Sequence, residues 1–566
     1  MYSPLKSVPL ELSSVTTATE NKARIRAMSH ELRVKLSSNV NVSQSYYTEH
    51  SATTRCVSSS CKSDETERQK SSRALSPSDI RTAAKCSVLS FPIMRLLLAA
   101  TLLAASTLPI AAQQLSPDTA AKVADLAQKV LADSGVPSAS IGIVQDNHIV
   151  YTRAFGLARV SPPLPADASM AYPIGSISKQ FTATAILILQ QQGKLSLQDP
   201  VSKFFPELTR SHDVKVLNLL THTSGYQDYA PQDYTIPAWK LPGDPLAVVH
   251  EFAGKPLDFE PGTQWQYSNT NFVLAALIVQ KVSGEPFAKF LRDNVLKPAG
   301  LEDVLNLNVD QAKLQVTGYM RNALAPIRPA ALEAPGWYFG DGDLAMPVGQ
   351  LLKWDLTIIN QTLLTPASYK QMETSYILAD GKDSHYGLGV DILDYKGHKA
   401  IEHSGEVGGF VAENILFPDD HVVIAVLTNQ EASGAAADIT KQIAPLVLPT
   451  AAPAAVASAD PATTTAQAFA PHLQTIVAGL QKGVIDRSLF TANCNDYFDA
   501  TALADYQSSL APLGAVTTVT VGHARLRGGM TFSSYRVAFS GGTTLIFSVY
   551  LQADGKIEQL LVEGKA

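Results

Sequence analysis

In the run Tyr172-Pro173-Ile174-Gly175-Ser176-Ile177-Ser178-Lys179-Gln180-Phe181-Thr182, a serine and a lysine stand three residues apart. An apolar stretch of helical length, Ala183 to Leu189, follows directly. Residues three apart on a helix share a face, which brings the lysine amine within reach of the serine hydroxyl. A neutral serine is a poor nucleophile without a neighbouring base, and a desolvated lysine can serve as that base. The start of a helix also directs free N–H groups toward an oxyanion formed there. Together these features suit acyl transfer. Two other Ser-x-x-Lys pairs, Ser3/Lys6 and Ser59/Lys62, lie in a Ser/Thr-rich, charged stretch without apolar periodicity. The motif therefore gains meaning only from its setting.

Tyr267-Ser268-Asn269 precedes a predicted helix from Asn271 and is the only Tyr-x-Asn in the chain. A tyrosine there can shuttle a proton between nucleophile, lysine and leaving group where neighbouring cations favour its ionised form. The Asn269 amide can bind both a lysine and a substrate carbonyl. Taken alone, the same residues also suit a turn tyrosine with a capping asparagine. His403-Ser404-Gly405-Glu406 lies on a predicted strand, with Gly408-Gly409-Phe410 after it. Glycine on a strand edge lets a substrate backbone approach and offers an N–H for an oxyanion. His385-Tyr386-Gly387 lacks that setting, so His385 reads as structural. His222, in Thr221-His222-Thr223-Ser224-Gly225, reads as a turn histidine satisfied by backbone. No His/Cys/Asp/Glu grouping has zinc-like spacing, so neither a metal nor another cofactor is expected.

In order and spacing, Tyr172–Thr182, Leu219–Gly225, Tyr267–Asn269 and His403–Gly405 resemble the β-lactamase-related serine hydrolases. That superfamily joins class C β-lactamases, D,D-peptidases, D-aminopeptidases and related esterases. The resemblance spans about Leu115 to Gln430. It implies a central antiparallel sheet flanked by helices, an all-helical subdomain, and an active site between them. It further implies Ser176 as the acylated nucleophile, Lys179 as its base, Tyr267 as proton relay and Asn269 as the orienting amide. His403 and Gly405 would line the strand side of the cleft, and the backbone N–H groups of Ser176 and Glu406 would form the oxyanion hole. Class C β-lactamases carry Lys-Thr-Gly where this chain has His403-Ser404-Gly405. A neutral histidine holds a substrate carboxylate less firmly than a lysine. The resemblance therefore favours a peptidase or esterase, with a small-molecule or peptide substrate, over a class C-like β-lactamase. A peptide- or penicillin-binding sensor without turnover is the reading from another class.

The elements that must position these residues are legible in part. Ala139–Val144 and Ile149–Phe155 read as strands about a turn at Gln145–His148. Ala183–Gln192, Val216–Leu220 and Asn271–Ser283 read as helices, the first stopped by Gly193 and the last by Gly284. Ile401–Glu402, Val411–Phe417 and Val422–Leu427 read as strands. Strands early and late with helices between suggest an α/β or α+β domain, built on one antiparallel sheet whose terminal strands meet. The hydrolase-like domain is assigned to 113–448, and an Ala/Pro/Thr-rich linker to 449–466. Residues 467–566 read as a small α+β accessory domain: a helix over Phe469–Leu480, then strands Val516–Val521, Thr531–Phe539, Thr543–Leu551 and Ile557–Val562. It has no catalytic constellation of its own, and Cys494 reads as a buried small hydrophobe.

Residues 1–93 are polar and without apolar period. Met94-Arg95, the apolar run Leu96–Ala112 and the small residues before Gln113 read as a secretory signal peptide at 94–112. Met94 is then the expected start of translation, with 1–93 a mis-assigned or disordered extension. The mature chain is expected in the periplasm or secreted, without a stable membrane anchor. Residues 1–112 carry a net charge of +6 and the remainder −12. An acidic mature chain argues against nucleic acid as a partner. Cys494 is the only cysteine after residue 112, so no intramolecular disulfide is available and a large core must stabilise the fold.

Overall fold

The computed structural model describes residues 114–448 and 462–566. The expected extension 1–93, the expected signal peptide 94–112 and most of the expected linker lie outside the described residues. The main sheet has seven strands: β1 (Ser138–Gln145), β2 (His148–Arg159), β3 (Leu164–Pro165), β4 (Asp391–Tyr395), β5 (His398–Val407), β6 (Phe410–Phe417) and β7 (Val422–Thr428). Their order is β3-β2-β1-β7-β6-β5-β4. The terminal strands therefore do meet: β1 runs antiparallel to β7, with Ala139 opposite Thr428 and Ile143 opposite Ile424. The turn between β1 and β2 puts Asp146 and Asn147 in the left-handed region, at φ 49° and 64°. That backbone twist matches the right-handed twist of the flanking strands.

Strand alternation sends successive side chains of β7 to opposite faces. Ile424 and Val426 pack under α1 (Pro117–Ser134) and a C-terminal helix, Ala435–Val447, while Val423, Ala425 and Leu427 join a larger core on the other face. With both faces covered, every β7 residue is buried. The larger core is built on α2 (Ser178–Gln191) and α3 (Asn269–Ser283), which pack against each other. Phe181, Ile186 and Leu187 of α2 and Phe272 and Ile278 of α3 are fully buried. Gly284, at φ 75°, closes α3 in a left-handed C-cap.

The strand β4 escapes the sequence reading because it is a short edge strand with half-buried, mixed residues. The helix α3 begins at Asn269 rather than Asn271, because Asp228 accepts the Asn269 backbone N–H at 2.9 Å and so caps it from outside the local sequence.

The C-terminal unit is a meander, β8 (Val516–Arg527), β9 (Met530–Phe539), β10 (Thr544–Leu551) and β11 (Ile557–Lys565), in that spatial order. Helices Ala462–Leu480 and Ala500–Leu510 cover it around Leu473, Val477, Tyr506 and Phe547. The first of these helices opens at Ala462, so 462–466 belongs to it rather than to the linker, and Ala466 is buried. Cys494 lies buried in this core as a free thiol, and burial pushes its pKa up.

The unit docks on the loop that follows His222. The Tyr234 hydroxyl donates to the Glu558 carbonyl at 2.9 Å, and the Gln559 amide donates to Asp233 at 2.9 Å. Arg328 grips Asp505 with both guanidinium nitrogens, and Asn322 donates to the same carboxylate at 2.9 Å. No helix among the described residues is long and apolar enough to cross a membrane.

Candidate active site

Ser176 sits in a single helical turn, Gly175–Ile177, immediately ahead of α2. Its side chain is half-buried at the floor of a cleft of about 210 Å³. Lys179, one turn on, is fully buried. Its Nζ lies 2.9 Å from Ser176 Oγ, 2.8 Å from Asn269 Oδ1 and 2.8 Å from the main-chain oxygen of Asp341. The last two partners can only accept. A neutral amine uses its two hydrogens on them and aims its lone pair at the Ser176 hydroxyl. Burial favours that form: it pulls the Lys179 pKa down to about 8, against the opposing pull of Asp341 and Asp228, and Arg527 lowers it further.

Asn269 opens α3, so its backbone N–H is one of the free donors of a helix start. Asp228 accepts that N–H, and the Asn269 amide nitrogen lies 3.4 Å from the same carboxylate. The amide also donates to the Ala230 carbonyl at 3.0 Å. These bonds fix the amide with its oxygen toward Lys179.

Tyr267 lies over the pair, its ring centroid 4.9 Å from Lys179 Nζ and 5.1 Å from Arg527 Cζ. The cations that could favour a phenolate are present. Burial nevertheless dominates and raises the phenol pKa well above its ordinary value, against the Ser176 hydrogen bond and the Arg527 charge. At rest Tyr267 is a neutral phenol.

His403 lies on β5, buried and tilted 6.1 Å from the Tyr267 ring. Its Nδ1 is 2.5 Å from the Ser404 carbonyl, which can only accept, so Nδ1 carries the hydrogen. Nε2 is then an acceptor and takes the Tyr386 hydroxyl at 3.0 Å. Burial, with Lys179 nearby, pulls its pKa down to about 3. Both ring nitrogens are engaged and the ring is neutral, so His403 lines the cleft as a shaped wall.

Gly405 and Glu406 follow on the same strand. Val407 and Phe410 face each other across the two-residue turn Gly408-Gly409, and the ladder alternates from there. Gly405 therefore bonds toward β6, while Glu406 presents its N–H to the other side, where β4 has already ended opposite Glu402. The turn holding Ser176 fills that side: a Cβ on Gly175 would come within 2.6 Å of Glu406 N. The turn that carries Ser176 is thus packed against the backbone of Gly405 and Glu406.

His222 is not in the cleft. It is buried beneath Tyr267, with ring centroids 4.3 Å apart, and accepts at Nδ1 from the Ser268 backbone at 3.2 Å. His385 is an exposed turn residue at φ 57°. Among the described residues no group of three or more His, Cys, Asp or Glu is placed to hold a metal ion.

Three site residues escape the sequence reading. Asp341 contributes a main-chain oxygen, and its carboxyl, pushed up to about 7 by burial, takes the Tyr229 hydroxyl at 2.9 Å. The run Gly340-Asp341-Gly342-Asp343 was the available signal. Asp228 has no such signature. Arg527 belongs to the C-terminal unit, which therefore does reach the chemistry although it holds no constellation of its own. Arg525, Phe532, Tyr550 and Glu563 of that unit line the cleft with it.

The Beta-lactamase family model matches residues 123–447. Among curated proteins the chain is 27% identical over 303 residues to penicillin-binding protein 4* of Bacillus subtilis, covering 50% of this chain and 66% of that one. It is 26% identical over 297 residues to a D-aminopeptidase of Gluconobacter oxydans, covering 52% and 56%. The matched region is thus little more than half of that second relative. Among solved structures, the octameric penicillin-binding protein homologue from Pyrococcus abyssi superposes with a TM-score of 0.52 at 22% identity, over 79% of this chain and 99% of that one. That likeness shows the fold.

Proposed function

Because the chain belongs to the Beta-lactamase family of serine hydrolases, we propose that it cleaves an ester or amide through a covalent acyl-enzyme on Ser176. The observation that carries this reading is the placement of Lys179 Nζ 2.9 Å from Ser176 Oγ, with two obligate acceptors as its other partners, so that the neutral amine has its lone pair free for the Ser176 hydroxyl. Lys179 takes the hydroxyl proton as Oγ bonds to the carbonyl carbon, and the carbonyl electron pair moves onto oxygen, toward the N–H groups of Ser176 and Glu406. As the tetrahedral species collapses, the departing alkoxide or amine takes a proton from the Tyr267 phenol, which regains one from the Lys179 ammonium. Water repeats the cycle on the acyl-enzyme and releases the acid.

Peptides containing D-amino acids are the amide substrates we favour. The similarity to a D-aminopeptidase supports that choice, and so does a neutral His403 where a class C β-lactamase would have a lysine. Labelling with a fluorophosphonate or a fluorescent penicillin tests the nucleophile, since Ser176→Ala that labels like wild type would overturn it. Steady turnover of several cephalosporins would favour the β-lactamase reading. A persistent label with no turnover on an ester and peptide panel would favour a sensor. We place the mature enzyme in the periplasm or outside the cell on the signal-like run at 94–112; N-terminal sequencing that finds a start before Leu96 would remove that placement.

A further inference from the structure

We propose that Arg527, carried in from the C-terminal sheet, is a positioning residue of the active site that holds Asp228 and covers the Tyr267 ring. The inference rests on the serine-hydrolase reading above. The strand β8 ends at Arg527, and β9 starts at Met530. Gly528 and Gly529 between them have φ 58° and 73°, a tight reversal that places Arg527 at the tip of the hairpin. The tip reaches the cleft by its backbone as well, in an isolated parallel bridge between Arg527 and Tyr267.

The guanidinium is spent on the machinery. Its Nε lies 3.6 Å from Asp228 Oδ2, and its Nη1 lies 3.5 Å from Asp233 Oδ1 and 2.7 Å from the Tyr550 hydroxyl. Nη2 donates to the Ala230 carbonyl at 3.3 Å. The Arg527 side chain is 14% exposed and that of Asp228 not at all. Burying a carboxylate this fully is costly unless it is paired with a cation and hydrogen-bonded. Arg527 is the cation paired with it, and the donors are the backbone N–H groups of Asn269 and Ala230.

Two routes lead from there to the nucleophile. Asp228 fixes Asn269, which accepts from Lys179, which faces Ser176. Independently, the guanidinium lies over the Tyr267 ring, its Cζ 5.1 Å from the centroid, as the Lys179 amine does at 4.9 Å. Loss of the guanidinium frees Asp228 to turn toward Lys179 and leaves Tyr267 without its cover. The accessory domain is in this way part of the catalytic apparatus, although it supplies no group that touches the reacting bond.

The experiment uses the full mature chain and follows the rate of fluorophosphonate reaction at Ser176 from about pH 6 to about pH 10. Wild type, Arg527→Gln, Arg527→Lys and Arg536→Gln are compared, with unfolding midpoints for each. Arg536 is an exposed arginine on β9, away from the cleft, and its variant should react as wild type does. Arg527→Gln should react about tenfold to a hundredfold more slowly at pH 7, with its profile displaced to higher pH. The displacement follows from losing a positive neighbour that disfavours the Lys179 ammonium. Arg527→Lys should restore the position of the profile but only part of the rate, since a point charge cannot reproduce the planar fork.

A folded Arg527→Gln with wild-type rate and profile overturns the proposal. Should that variant not fold, Arg527→Lys decides, and a rate equal to wild type overturns it. Wild type that fails to label overturns the serine-hydrolase reading itself, which is a different result from a labelled wild type with an indifferent Arg527.

Discussion

Gly175 and Gly405 face each other beneath the cleft at a separation that only hydrogen tolerates. A Cβ on Gly405 would lie 1.9 Å from the Ile174 carbonyl oxygen and 3.0 Å from Ser176 N. A Cβ on Gly175, itself at φ +50°, would lie 2.6 Å from Glu406 N. The opposing atoms are backbone, so neither clash can be relieved by turning a side chain. Close approach of the helix-leading turn to the strand brings the Ser176 and Glu406 backbones together, the pair of N–H groups proposed above as oxyanion donors.

Gly405→Ala should therefore separate the N–H groups of Ser176 and Glu406. Losing one such donor costs about a hundredfold to a thousandfold in rate, and overpacking costs about 1–3 kcal/mol of stability. Acylation measured with a p-nitrophenyl ester, alongside urea unfolding, distinguishes the two. A folded Gly405→Ala with wild-type acylation would remove this N–H pair from the mechanism.

Lys179 predicts the pH dependence. In the proposed mechanism the base is the neutral amine, whose fraction grows as pH rises through a pKa of about 8. Below that pKa each unit of pH lowers the neutral fraction about tenfold. The rate of ester cleavage should therefore climb from acid pH and level off above about pH 8. A rate that is flat from pH 6 to pH 9, or that falls across that range, would speak for a charged Lys179 and a different base.

Local signals made the frame legible. Alternation and an Asp146-Asn147 turn identify β1 and β2, and the helix at Val216–Leu220 has the expected bounds. The pair Ser176/Lys179 is legible because one helical turn joins its members. What stayed hidden depends on distant partners. The start of α3 is set by Asp228, 41 residues from Asn269. Asp341 acts on Lys179 through a carbonyl oxygen, a group every residue has. Arg527 bonds the Ala230 carbonyl across 297 residues, and no local pattern in β8 reports which loop its tip will meet.

His403 makes a prediction about acid stability. The unfolded imidazole takes a proton near pH 6.5, whereas burial holds the folded one neutral down to about pH 3. The unfolded state therefore binds more protons between those values, and stability falls as pH drops through that window. In His403→Phe this part of the acid dependence should flatten. The buried Tyr386 hydroxyl would also lose its acceptor, at a cost of about 1–3 kcal/mol near neutral pH. Urea unfolding at several pH values measures both effects. A titration step between pH 5 and pH 7 in the wild-type rate profile that disappears in His403→Phe would contradict a neutral His403.

Asn269→Asp tests the amine with almost no change of shape. The new carboxylate would sit 2.8 Å from Lys179 Nζ, in the place of an amide oxygen, and would favour the ammonium. It would also face the Asp228 carboxylate, where the amide now presents an N–H at 3.4 Å. The ammonium donates its third hydrogen to Ser176 Oγ, so the lone pair that should take the serine proton is gone. Each unit by which the Lys179 pKa rises lowers the neutral fraction at pH 7 about tenfold. The variant should therefore label Ser176 at least about tenfold more slowly at pH 7 and recover as pH climbs past the wild-type midpoint. A rate that is low at every pH would instead point to displacement of Lys179 or of the α3 start. A folded variant with the wild-type rate at pH 7 would mean that the serine proton goes to some group other than Lys179.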